Sequence, residues 1–459
     1  MGSLSQELPP LQAQDLKIKI QDSCMVLPAQ KTERRTMLLS NIDQVLNFSV
    51  ETVHFFPLNK DFPPHVVAEK LRSALANILV TYDFMAGRLK ANPNTGRFEI
   101  DCNGAGAVFV VASSDCTLDE IGDLVYPNPA FKDLIVNSLD GLPLEKEDHH
   151  DQPLCIVQVT SFKCGGFTMG LSTNHATFDG LSFKIFLDNL AAIASDKPLV
   201  MIPCNDRHLL AARSPPRVTF DHPEMIKLNI PLGQDSNSNA SIFDDTQEDL
   251  DFKIFQLTSD MIAHLKEKAK KALGGTQNSR YITGFNVVTA HVWRCKALSL
   301  GDDPERESRL LYAVDIRPRL NPPLPASYVG NAVLSAYTIA KCKELEEGPF
   351  SKIVEMVSEG AKRITDEYAR SAIDWGEVYK GFPHGEFLIS SWWKLGFAKV
   401  EYPWGRPRYS CPVVYHRKDI ILLFPDIDND NGVNVLVSLP SKEMNKFHSL
   451  FHKLLDLKD

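Results

Sequence analysis

A chain of 459 residues is too long for one hydrophobic core to organise, because single cores stop growing at roughly 250–300 residues. Two domains of about 200 residues each are therefore expected. A shift in composition shows where to divide them. Residues 202–223 contain Pro203, Pro215, Pro216 and Pro223 among several basic residues, and residues 233–251 are rich in Ser, Asn, Asp and Gly. Both stretches read as exposed connection. This predicts an N-terminal domain over 1–201, a crossover linker over 202–223 and a C-terminal domain over 224–459.

Strand and helix patterns are mixed in both halves. Phe48 to Phe56 alternates as a strand does. Pro63-Pro64 opens a helix that places Val67, Leu71, Leu75 and Ile78 on one face. Two strands are predicted over 153–162 and 166–174, around the turn Gly165-Gly166. A helix follows from Asp179 to about Ser195. Beyond the linker, the patterns predict a strand over 252–257, a helix from Thr258 or Ser259 and a helix over 283–298. Further strands are predicted at 310–316, 332–339, 419–424 and 433–438, with a last helix over 441–456. This order points to an α/β architecture, with no short-period repeat.

Several function classes are disfavoured. The chain is 44% hydrophobic and 23% charged, with a net charge of -9 and no basic tract. Nucleic acid is not an expected partner. No apolar run reaches the roughly 18–20 residues that cross a bilayer, so no membrane partner is expected. The N-terminal Met1-Gly2-Ser3-Leu4-Ser5-Gln6 lacks a signal-peptide core. Gln6 stands where a myristoylation signal wants Ser or Thr. Nine cysteines without C-x-x-C pairs read as free thiols in a reducing compartment, so a cytoplasmic location is expected.

His175-Ala-Thr-Phe-Asp179-Gly180 holds the clearest candidate chemistry. The imidazole follows the alternating run from Phe167 to Asn174, at the end of a predicted strand. H-x-x-x-D spacing is common by chance, so the surroundings matter. A neutral imidazole can act as a general base. A nucleophile's partner is less well supported, since there is no G-x-S-x-G elbow and Cys164 has no activating context. Metal binding lacks further ligands, with no H-E-x-x-H and no Cys pair. His448 and His452 read as a solvated helix face, and His149-His150 as a loop. Gly104-Ala105-Gly106 lacks a phosphate-loop flank and reads as a turn. No nucleotide cofactor and no metal are expected. Trp392, Trp393 and Trp404 cluster near Glu401-Tyr402-Pro403-Trp404-Gly405, whose Pro, Gly and aromatic content suits a rigid loop.

The order and spacing of these segments resemble the BAHD acyltransferases, enzymes that use acyl-CoA thioesters. The likeness runs over nearly the whole chain. It includes Leu39-Ser40-Asn41-Ile42-Asp43, Leu79 to Tyr82, Ala86-Gly87-Arg88-Leu89, His175 with Asp179, and His291-Val292-Trp293-Arg294. It continues through Val314-Asp315-Ile316-Arg317, Pro325, Tyr328-Val329-Gly330-Asn331-Ala332, Ser391-Trp392 and Trp404-Gly405. The late family motif usually reads Asp-Phe-Gly-Trp-Gly, so Pro403 is a departure that fixes φ and removes an N–H.

The resemblance implies two domains, each like chloramphenicol acetyltransferase, with a mixed sheet flanked by helices and a channel between them. It implies acyl-CoA as co-substrate, with no bound cofactor, and a small-molecule alcohol or amine as acceptor. His175 would be the base. Asp179 would be held by Arg317 as a structural pair, with Trp404 and Gly405 also structural. Ser390 and Trp392 would lie near the oxyanion. Arg280 and the helix start at Thr283-Gly284 are candidates for CoA phosphate, and stand equally as an ordinary surface charge and cap. A monomer is expected. A non-catalytic small-molecule or protein-binding member of the same fold is the alternative reading, and the intact His175 weighs against it. A serine or cysteine hydrolase lacks its nucleophile motif.

Overall fold

The computed structural model describes residues 15–125, 128–140, 142, 144, 152–227, 249–272, 282–413, 417–427 and 431–455. Two six-stranded sheets organise them. The strands of the first sheet, in chain order, are β1 (Ile18–Val26), β2 (Ser49–Phe56), β3 (Ala107–Ser114), β4 (Cys155–Ser161) and β5 (Phe167–Asn174), joined by a late strand, Tyr409–Pro412. The second sheet holds β6 (Asp251–Leu257), β7 (Glu307–Asp315), β8 (Val333–Lys341), β9 (Phe387–Ser391), β11 (Ile420–Pro425) and β12 (Val433–Leu439), with Tyr409–Pro412 taking the label β10. In space the first sheet runs β1-β3-β4-β5-β2-β10 and the second β6-β12-β11-β9-β7-β8. Both sheets are mixed, as expected: β3 and β4 are parallel, as are β7 with β9 and β9 with β11.

The helices predicted from apolar spacing are present. In α1 (Pro64–Thr81), Val67, Leu71, Leu75 and Ile78 are buried, and Pro64 occupies the first turn, where a missing N–H costs nothing. The next helix, α2 (Gly180–Ala194), turns Phe183, Phe186, Leu187 and Leu190 to the same core. Pro129–Leu134, a short 3-10 segment, covers the opposite face, packing Phe131 and Leu134 near Val53 and Phe55. With both faces covered, β2 is buried from Glu51 to Phe56. The segment comes so close that a Cβ at Gly170 would lie 2.3 Å from the Leu134 carbonyl oxygen.

The second sheet is covered by α3 (Ser259–Ala272), α4 (Gly284–Ser299), α5 (Phe350–Arg363) and α7 (Ser441–Leu455). Thr258 Oγ1 accepts from Met261 N at the start of α3. Trp293 in α4 is fully buried and donates its indole N–H to Ser308 Oγ at 3.0 Å. His448 and His452 on α7 are exposed, whereas His149 and His150 lie outside the described residues. No helix among the described residues is long and apolar enough to cross a membrane.

The connection between the sheets is largely exposed, as expected, but it is anchored at a few buried side chains. Residues 202–223 are not simply exposed: Arg207 and His222 are each 1% exposed, and Leu210 is buried. Polar bonds hold this segment against a further helix, α6 (Asp366–Val378). Ser371 Oγ accepts from Thr219 N at 2.9 Å, His222 bridges Ser371 and Glu224, and Arg213 Nε donates to Asp374 Oδ2 at 2.6 Å. Side-chain partners let polar residues such as Arg207 and His222 be buried within an otherwise exposed stretch. The second crossing is β10, which lies in the stretch assigned by sequence to the C-terminal domain yet pairs with β2 from Tyr409↔Phe55 to Pro412↔Thr52.

Candidate active site

A cavity of about 470 Å³ opens between the sheets and is lined by His175. Its polar groups include Ser390, Ser391 and Trp392, at and beyond the end of β9, together with Asn331. Ile42, Val45, Leu46, Leu181, Leu334 and Leu388 form much of the apolar wall. Trp375 of α6 closes one side with Met225, Gly381 and Pro383. Met225–Lys227 and Gly381–Pro383 pair as a two-stranded ribbon, so the end of the connection forms part of the cavity wall.

His175 follows β5 in a turn. Its backbone N–H donates to Phe48 O at 2.8 Å, and its ring lies 5.1 Å from the Phe48 ring. At the buried Nδ1 no contact meets strict hydrogen-bond geometry, although the Asn331 side chain and the residue's own backbone lie close enough to act on the ring. Burial pushes the imidazole below its ordinary pKa, against weaker opposing effects from its own backbone, Asp179, Asn331 and Asp43. A neutral ring at neutral pH follows, because removal from water disfavours the charged form.

Asp179 makes different bonds. It caps α2, with Oδ1 accepting from Ser182 N at 2.9 Å. Arg317 Nη2 donates to Asp179 Oδ1 at 2.9 Å and lies 2.8 Å from Oδ2. Ala332 N donates to Oδ2 at 3.0 Å. Both oxygens are thus used by groups other than the imidazole. Arg317 Nη1 also reaches Asp315 at 3.0 Å. Burial works against the guanidinium charge, but Asp179 and Asp315 outweigh it and raise the Arg317 pKa above its ordinary value. Gly180 is the first helical residue. A Cβ there would lie 2.6 Å from Leu395, so glycine lets the C-terminal half approach the start of α2.

The other sequence candidates separate in space. Trp404 and Gly405, placed by sequence among the structural residues of the active site, are absent from the cavity wall. Trp404 stacks on Tyr402 at 5.3 Å and meets Phe56, Phe62 and Phe167 edge-on in the first core. Tyr402 N donates to Gly405 O and Gly405 N to Tyr402 O. Pro403 sits at the second position of this tight turn, where its fixed φ is favourable. Thr283 caps α4 by accepting from Asn286 N, and a Cβ at Gly284 would meet Trp393 at 3.1 Å. Neither residue lines the cavity around His175, and Arg280 lies outside the described residues.

Sequence reasoning assigned no role to Asp43, Arg207 or Asn331. Asn331 Nδ2 donates to the His175 carbonyl and to Asp43 Oδ1, both at 2.8 Å. Arg207 Nη2 donates to Thr177 O at 2.9 Å. Asp43 and Asn331 stood within segments that carried the resemblance. Arg207 had no local signal, as one arginine among several in a stretch read as exposed.

A sequence profile of the Transferase family matches residues 16–454. Acyltransferase GLAUCE of Arabidopsis thaliana is 62% identical over 463 residues, covering 99% of this chain and 100% of that protein. Omega-hydroxypalmitate O-feruloyl transferase of Arabidopsis thaliana is 33% identical, covering 95% of this chain and 93% of that protein. Among solved structures, vinorine synthase aligns with a TM-score of 0.71 at 21% identity, over 95% of this chain and 98% of that one. This last likeness bears on the two-sheet fold.

Proposed function

The chain belongs to the Transferase family, the BAHD acyltransferases, and on that premise we propose that it moves an acyl group from an acyl-CoA thioester to a small-molecule plant metabolite. The acceptor atom is a hydroxyl oxygen, less readily an amine nitrogen. The feruloyl transferase relative, named for an O-linked product, supports an oxygen acceptor and an aromatic acyl donor. Unpaired cysteines throughout support a cytoplasmic setting, and we infer a monomer.

One observation carries the mechanism. The imidazole of His175 borders a cavity between two sheets while the nearby carboxylate is committed to Arg317 and backbone N–H groups. His175 therefore acts as a single base, without a His–Asp relay. As the acceptor oxygen attacks the thioester carbonyl, its proton passes to the imidazole and a C–O bond forms. The tetrahedral oxyanion needs donors already in place, which Ser390 hydroxyl and Trp392 indole N–H supply. The C–S bond then breaks, and the imidazolium returns the proton to the CoA thiolate. Both substrates occupy the site together, and no acyl-enzyme forms. The start of α4 at Thr283-Gly284, where Thr283 also serves as the helix cap, is the candidate contact for CoA phosphate.

The test combines the purified protein with acetyl-, caffeoyl- and feruloyl-CoA and a panel of alcohols and amines. Free thiol and product mass are followed, together with intact-protein mass during turnover. Acylated product with no acylated protein is expected. Binding of acyl-CoA without transfer to any acceptor, or an acyl-enzyme that forms and decays at the turnover rate, overturns the reading.

A further inference from the structure

We propose that Arg207, Asp43 and Asn331 form a second clamp on the His175 turn and act as positioning residues for the base. The inference rests on the reading of His175 as the base. It addresses what aims an imidazole whose Nδ1 makes no contact of strict hydrogen-bond geometry, with only Asn331 and the residue's own backbone near enough to act on it. The usual orienting group, a carboxylate on the second ring nitrogen, is missing because Asp179 is bound elsewhere. Orientation must then come from the peptide that carries the ring and from packing on Phe48.

That peptide is bonded on two sides. Asn331 uses both amide hydrogens, one on the His175 carbonyl and one on Asp43 Oδ1, each at 2.8 Å. Two residues on, the Thr177 carbonyl accepts from Arg207 Nη2 at 2.9 Å. Arg207 Nη1 donates to the Val329 carbonyl, and Arg207 Nε stands 3.4 Å from Asp43 Oδ2. Asp43 is itself held by Ser40 N and Ser40 Oγ, both at 2.8 Å.

All three clamp side chains are nearly or fully buried: Asp43 at 0%, Arg207 at 1% and Asn331 at 1% exposure. The guanidinium lies 5.7 Å from the Tyr328 ring, and Arg317 lies at the same distance from that ring. Gly330 leaves the space Arg207 fills, since a Cβ there would overlap the guanidinium at 1.8 Å. The two clamps therefore meet around Tyr328 and Gly330 while holding different parts of the turn. Arg317 fixes the start of α2 through Asp179. Arg207 and Asn331 fix the carbonyls of residues 175 and 177. A buried charge pair of this kind adds little stability relative to an apolar replacement, so its main effect here is to set geometry.

Two variants test the proposal. Arg207→Met/Asp43→Asn removes both buried charges together, avoiding an unpaired one. Asn331→Ala leaves the ion pair and removes the donor to His175. In each, kcat falls by about 10- to 100-fold, the scale of a base misplaced by about 1 Å, while KM for acyl-CoA stays within about twofold. Hydrogen–deuterium exchange speeds up in a peptide spanning 174–178 and is unchanged in the body of α2. If the double variant is insoluble, Asn331→Ala decides alone. Its kcat within about twofold of the parent chain, with unchanged exchange at 174–178, overturns the clamp. A parent chain that transfers no acyl group overturns the reading of His175 instead, and the exchange comparison still decides whether the clamp exists.

Discussion

Replacing Asp179 by alanine should unfold the site before it changes any proton transfer. The carboxylate accepts from Ser182 N, Ala332 N and the Arg317 guanidinium at 2.8–3.0 Å, and Asp179 is 4% exposed. Its removal strips the cap from α2, leaves two backbone donors without partners and unbalances a buried charge. Breaking such a pair costs about 3–5 kcal/mol, within which the lost cap accounts for about 1 kcal/mol. Asp315, 3.0 Å from Arg317 Nη1, remains to share the charge, so about 3–4 kcal/mol is the expected loss. Against a net stability of about 5–15 kcal/mol, that lowers the melting temperature of a 150–250-residue domain by about 6–16 °C. His175→Ala provides the contrast. Its Nδ1 makes no contact of strict hydrogen-bond geometry, so its melting temperature should stay within about 2 °C while acyl transfer is lost. Calorimetry or circular dichroism melts, with free-thiol release on the same preparations, measure both effects. An Asp179→Ala protein that melts with the parent and is only slowed refutes the strut. A His175→Ala protein that still turns over refutes the base.

Two further predictions concern pH. On the proposed mechanism His175 works as a neutral base, and burial holds its pKa below the ordinary imidazole value; the acid limb of kcat/KM should therefore lie below about pH 6.5, and a limb at or above that value would contradict the burial argument. His54 and His291 are fully buried and lowered to about 3 by burial. The unfolded chain, with pKa near about 6.5, binds protons that the native state refuses, so stability falls as pH drops from about 6.5 toward 3. By pH 5 the expected loss is about 2 kcal/mol for each group, from about 1.4 kcal/mol per pH unit. Urea midpoints at pH 7.5 and 5 should separate less in His54→Asn/His291→Asn than in the parent, and equal separation would count against this assignment.

Much of this arrangement was legible in residues whose signal is local. Pro63-Pro64 and the apolar spacing from Val67 to Ile78 define α1, and Asp179 at the start of an apolar helix marks a cap. Most of what escaped has a physical reason. Strand β10 has four residues, too few for a periodic pattern, and its partner strand lies more than 350 positions earlier. Helix α5 carried readable spacing in Ile353, Val354 and Val357, but no helix was assigned there. Arg207 escaped because a buried arginine and an exposed one look alike in sequence. Only its partners distinguish them, and Asp43, Thr177 and Val329 come from both halves. Pro403 stood out as a departure, yet a tight turn between Tyr402 and Gly405 accommodates it.

The separation of His175 from Asp179 has a consequence for how the site is built. A catalytic histidine held by its own carboxylate could be oriented within one sheet. Here the groups that fix the turn come from Asp43 and Phe48 before the first helix, Arg207 in the connection, and Arg317 and Asn331 in the C-terminal half. Ser390 and Trp392 lie in the C-terminal half as well. On the proposed reading, the base is therefore held by contacts from both halves of the chain, which also line the cavity. This coupling explains why polar, costly groups such as Arg207 and Asp43 are buried at the junction. Apolar residues would pack there as well, but they could not hold peptide carbonyls at a set angle. It also explains why a largely exposed connection is pinned at a few buried points: Arg207 reaches the turn, and Met225, just past residue 223, reaches the cavity wall.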